Sequence, residues 1–118
     1  MKKLIATLML LCISFVSQAV WLNPSGKVTG IITYAGRDTV LITLDSPGTK
    51  VSECASDSVF AIGHDYSAEQ RARMYAMFLA AQASDRRVTV SYNDTGNCEP
   101  WGSTPSVYRR IVRMTLGN

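Results

Sequence analysis

Apolar and polar positions alternate in five stretches of the chain, and in one stretch they recur every three to four residues. Residues 27–35 (KVTGIITYA) and 39–46 (TVLITLDS) alternate and are rich in β-branched side chains. The Gly-containing GRD between them predicts a β-hairpin. Residues 47–57 read as a loop, and residues 58–63 (SVFAIG) as a short third strand. Residues 67–82 (SAEQRARMYAMFLAAQ) follow the helical period. Ser67 at the N-cap with Gln70 three positions on is a capping box, and the helix is predicted from about Ala68 to Ser84. Residues 86–92 (RRVTVSY) form a fourth strand with Val88, Val90 and Tyr92 on one face. A turn-rich segment leads to a fifth strand at 106–116 (SVYRRIVRMTL). On that strand Tyr108, Val112 and Met114 should point inward, and Arg109, Ile111 and Arg113 outward. Arg110 falls on the inward side, so it must sit at a barrel mouth or meet a carboxylate.

This order, β-β-β-α-β-β, is mainly β with one helix. It is the order of an OB-fold, a five-stranded Greek-key barrel. The alternative is a helix on an open antiparallel sheet. The helix has apolar residues on two sides. Tyr75, Phe78 and Leu79, with Ala72 and the rim residues Arg71 and Gln82, form a stripe expected to plug the barrel. Met74, Met77 and Ala81, with Gln70, form a second group. A helix apolar on two sides commonly has two neighbours, and Met adapts well at interfaces. The second group is therefore the expected self-association face.

The first nineteen residues change the picture of the rest. A basic MKK, an apolar run of 13 and small residues three before and one before a cut after Ala19 make a bacterial-type signal peptide. The run is shorter than the ~20 residues that span a bilayer, so no membrane span is expected. The working chain is then residues 20–118, one OB-fold domain, secreted or held in the periplasm of a Gram-negative cell. Of 12 Lys and Arg, two (Lys2, Lys3) leave with the leader; ten against nine acidic residues remain, a net charge of +1. Nothing in that balance points to nucleic acid. Of three cysteines, Cys12 also leaves, and Cys54 and Cys98 should form one disulfide in an oxidising compartment.

Little chemistry is expected. His64 is the single histidine, in a loop before the helix, and no nucleophile-elbow motif accompanies it. No metal-ligand spacing is present, so neither a metal nor a cofactor is expected, and the chain does not read as an enzyme. Trp21, Trp101, Tyr34, Tyr92 and Tyr108 suit either of two uses. They cap a small barrel, or they present rings to sugars, whose C–H faces pack on aromatic faces.

Residues 28–46 (VTGIITYAGRDTVLITLDS), a following Cys, and residues 57–92 together resemble the B subunits of subtilase cytotoxin and of pertussis-like and typhoid toxins. The resemblance lies in the order and spacing of the strands, the Cys and the helix, over residues 25–92. It implies an OB-fold that assembles as a homopentamer with helices facing a central pore. It also implies binding of sialylated host glycans and a toxic A subunit as partner. The family's glycan-contacting serine falls on Thr29, its acidic position on Ser25 and its strand-four tyrosine on Tyr92. Ser25 loses the carboxylate, and Thr29 adds a methyl where a sugar would approach. The family's second-strand Cys is replaced by the Thr43-Leu44 region, and its Cys-containing tail is absent. The competing reading is a periplasmic OB-fold protein of stress or inhibitor type that binds a peptide, an envelope component or another protein.

Overall fold

The computed structural model describes residues 20–117; the leader read in residues 1–19 and Asn118 lie outside the described residues. The elements are β1 (Trp21–Leu22), β2 (Ser25–Thr33), β3 (Val40–Leu44), β4 (Phe60–Ile62), α1 (Ala68–Ser84), β5 (Arg87–Asn93), β6 (Cys98–Trp101), β7 (Thr104–Arg110) and β8 (Arg113–Leu116). The protein is mainly β with one helix. The helix and four of the alternating stretches lie where the sequence places them. Two segments read as irregular carry strands, β1 and β6, and the single fifth strand is two.

β2 serves two neighbours. Ser25–Lys27 pairs antiparallel with β5, and the remainder pairs with β3. Between them Val28 faces Leu44 while Gly30 faces Thr43, so Thr29 is an extra residue. A bulge bends its strand, and this one hands β2 from one neighbour to the next. β3 pairs antiparallel with β4, β4 pairs parallel with β7, and β6 and β7 form a hairpin. β5 also pairs with β1 and β8.

The ladder runs β1-β5-β2-β3-β4-β7-β6, with β8 off that path on β5. It is an open mixed sheet, not the closed barrel expected from element order and not an all-antiparallel one. Closure fails because, among the described residues, no single strand pairs with both β4 and β5. The chain changes neighbours between β7 and β8: Ile111 N–H donates to Ala61 O of β4 at 2.9 Å, and Val112 N–H donates to Ser91 O of β5 at 2.8 Å.

The change also alters the expected facing at two positions, while Arg113 stays exposed and Met114 packs on the core. Arg109 and Ile111 are buried rather than outward. Phe60, Tyr92 and Ile111 belong to the core with Val28, Ile42, Ile62, Phe78, Val88 and Val90. Each such side chain contributes on the order of 1.5–3 kcal/mol when fully buried.

The helix starts as expected. Ser67 Oγ accepts from Gln70 N–H and the Gln70 side chain accepts from Ser67 N–H. It ends at Asp85 in the left-handed region, φ 57°, where Lys27 Nζ meets the Asp85 carboxylate at 3.1 Å. Its inward face differs from the predicted stripe. Phe78 and Ala81 are buried, Met74 and Tyr75 pack beside them, and Leu79 is 42% exposed. Cys54 and Cys98 are bonded, with Cα atoms 5.6 Å apart. The bond spans a sequence separation of 44, and closing such a loop removes roughly 4 kcal/mol of unfolded-chain entropy in the chain-entropy description.

Candidate functional site

β6 alternates about its hairpin partner, and Glu99, paired with Tyr108, points inward. Its carboxylate is fully buried. A buried carboxylate is stable only when charge and hydrogen bonds compensate it, and here they do. Oε2 accepts from Thr39 Oγ1 at 2.7 Å and from His64 N–H at 2.9 Å, and His64 Nδ1 lies 2.7 Å away. Oε1 accepts from Arg110 Nε at 3.0 Å and lies 2.9 Å from Nη2, so two nitrogens of the guanidinium converge on one oxygen. Arg110 Nη1 also reaches Asp65 at 3.5 Å. The inward arginine of the last strand thus meets the carboxylate its position demanded.

His64, Asp65 and Glu99 bring ligand-type atoms within 4.8 Å of one another. The set does not fit a metal centre. Arg110 already supplies the positive charge at hydrogen-bonding distance, and every Glu99 oxygen is engaged. The network is a clamp. It joins the β2–β3 turn (Thr39), the β4–α1 connection (His64, Asp65), β6 (Glu99) and β7 (Arg110). Tyr66, beside it, donates to Ile111 O at 2.8 Å. Burial pushes the Tyr66 pKa above its ordinary value; Arg110 opposes this, and Asp65 and Glu99 add to it.

Over the clamp lies a polar cleft of about 280 Å³, lined by residues 36–39, His64, Pro100 and Gly102. The His64 side chain is half-exposed there. Beside it, joined to it through Arg37, three rings from three segments gather. Trp101 meets the Tyr34 ring edge-on at 5.1 Å and the Tyr108 ring at 5.7 Å. The Arg37 guanidinium lies 4.3 Å over the Trp101 ring. Tyr34 is 50% exposed. Among the described residues no hydroxyl or thiol nucleophile is hydrogen-bonded to His64.

The residues singled out from the family resemblance are not brought together. Thr29 is exposed on its bulge, and its Oγ1 lies 2.9 Å from Thr43 Oγ1. Ser25 lines a separate cleft with Arg86, Arg87, Thr89 and Thr115. Tyr92 is 1% exposed. Its hydroxyl donates to Thr49 O at 2.7 Å and accepts from Thr49 N–H at 2.8 Å. Tyr92 is a core residue, so a glycan-contacting role for it is corrected here: the 47–49 loop covers it. Gly48 makes that cover possible. Its φ is +74°, and a Cβ there would stand 2.8 Å from both Pro24 and Tyr92 Oη.

Of the expected association face, Gln70, Met74 and Met77 line one groove, whereas Ala81 is buried beneath the helix and cannot take part. Glu99 escaped sequence reading because it sits between Cys98 and Pro100 in a segment that reads as loop. The single available signal was the unpaired demand of Arg110.

Comparison with known proteins gives no match: no family model, no curated protein and no solved structure matches the chain. The resemblance to toxin B subunits rests on the residues quoted above. Among the described residues no helix is long and apolar enough to cross a membrane.

Proposed function

We propose that this chain is an exported, non-catalytic carbohydrate-binding module, and that it binds oligosaccharide at the cleft over Glu99. One observation carries the reading. Tyr34, Trp101 and Tyr108 converge from separate segments, and Arg37, which lies over the Trp101 ring, joins them to a polar cleft that also presents Asp38 and His64. Rings accept the C–H face of a sugar while charged and polar groups take its hydroxyls. The Glu99 clamp holds the cleft's walls in register before any ligand arrives, which lowers the ordering cost of binding.

The topology supports the same reading. The first long strand, β2, pairs with β3 and with β5; β4 runs parallel to β7; and β8 returns to β5. In our reading this is an OB-fold whose fifth strand is broken at residues 111 and 112. OB-folds bind oligosaccharides and oligonucleotides through the loop between the first two strands and the loop between the last two. Here those loops are residues 34–39 and 94–103, the two that frame the cleft. The small net charge of the chain from residue 20 onward favours sugar over nucleic acid.

A glycan array probed with the oxidised chain from residue 20 tests this. We expect a defined subset of glycans to bind, and Trp101→Ala or Arg37→Ala to weaken binding about tenfold or more. Thr29→Ala and Ser25→Ala should leave it unchanged. Absence of any glycan signal, or binding indifferent to Trp101, removes the reading.

A further inference from the structure

A mostly apolar groove lies away from the cleft, where α1 meets β8. Gln70, Arg73, Met74 and Met77 recur at helical spacing along one side of α1, and residues 112–114 form the opposite wall. Tyr66 closes one end. The groove encloses about 380 Å³ and is mostly apolar in lining. Seven residues of helix correspond to a length of roughly 10 Å, which suits a short segment of chain.

Its charge is one-sided. Arg73 and Arg113 stand at the rim, and no acidic residue lines the groove. Neither arginine side chain makes a hydrogen bond or ion pair with another described residue. Elsewhere Arg110 is paired with Glu99 and Asp65, and Arg71 with Asp38. Two uncommitted guanidinium groups flanking three methionines (Met74, Met77, Met114) define a chemistry for whatever covers them. Met side chains reshape to fit varied apolar surfaces, and guanidinium groups bind carboxylates bidentately.

We infer that this groove docks a short segment of a partner protein in which apolar side chains alternate with carboxylates. The apolar groups lie on the methionine floor, and the carboxylates pair with Arg73 and Arg113. A second copy of the chain meeting the groove about a two-fold axis is disfavoured, because an isologous contact sets the arginines against one another. An alkyl-chain carboxylate fits less well, because the groove is open to solvent along its length and would leave the alkyl chain half wet.

A displayed library of random 12-residue peptides, panned against the oxidised chain from residue 20, is the test. The enriched peptides should combine Leu, Ile, Phe or Met with Asp or Glu. Synthetic versions should bind at least tenfold more weakly to Arg73→Glu and to Met77→Glu, and should lose binding when their acids become Lys. Binding should weaken as salt rises. Arg73 is exposed, so its variant should keep the parent's melting temperature. Arg73→Glu should keep glycan binding and Trp101→Ala should keep peptide binding, which separates this proposal from the preceding one. Four outcomes overturn it. They are no enrichment over background, enrichment of peptides without carboxylates, a fall in particle mass in Met77→Glu showing that copies occupy the groove, and displacement of the peptide by dodecanoate with equal loss in both variants.

Discussion

Among the described residues two charged side chains are buried, and their surroundings treat them oppositely. Glu99 has a full set of donors and a guanidinium partner. Arg109 has no carboxylate partner. Its guanidinium lies 4.0 Å over the Phe60 ring and 5.2 Å from the Tyr92 ring, and Nη1 donates to Pro47 O and Thr49 O. Its Nε and Nη2 find no hydrogen-bond partner. Burial lowers its pKa, and the Tyr92 hydroxyl pulls the other way. Removing one partner of a buried pair strands the other, at about 3–5 kcal/mol, whereas replacing a poorly compensated buried charge by an apolar group of similar volume is often neutral. Glu99→Ala should therefore lose about 3–5 kcal/mol in urea unfolding with the disulfide intact, and Arg109→Met under about 1 kcal/mol. At this scale the sequence was only partly legible. It raised the question of Arg110 but placed Arg109 on the wrong face. Alternation assumes one continuous strand, and this one breaks at Ile111.

The helix shows what a wheel reads well and what it reads badly. Its limits and its capping box depend on neighbours within one turn, and Ser67, Gln70 and Ser84 stand where local chemistry puts them. Its buried face depends on a surface the wheel does not contain. The wheel put Leu79 in the inward stripe and Ala81 in the second group, yet Ala81 is fully buried and Leu79 is not. A small residue lets the helix backbone approach the sheet closely, and a large one would hold it away. Ala81→Leu should thus overpack the contact and cost about 1–3 kcal/mol. Leu79→Lys should stay within about 0.5 kcal/mol. Thermal melts of the two variants check the assignment, and the reverse ranking would restore the wheel's version.

For the molecule as a whole, strand count and pairing were the hardest to read. β1 has two residues and β6 carries a proline, so neither gives a periodic signal. The disulfide was legible because setting Cys12 aside with the expected leader leaves two cysteines and one pairing. The convergence of Tyr34, Trp101 and Tyr108 was not, because it depends on β6 folding back on β7 and on the 34–39 turn lying alongside.

The hand-over at Ile111 and Val112 has a kinetic side. Consecutive amides there bond to opposite flanks of the fold, one to β4 and the next to β5. Freeing either flank requires moving a peptide unit that the other flank holds. The two sides then cannot breathe separately, and both amides should exchange with solvent only through global opening. In native-state hydrogen exchange followed by NMR, Ile111 and Val112 should show the same opening free energy, equal to that of Phe78 in the core. A faster rate at either one would show that the flanks open independently.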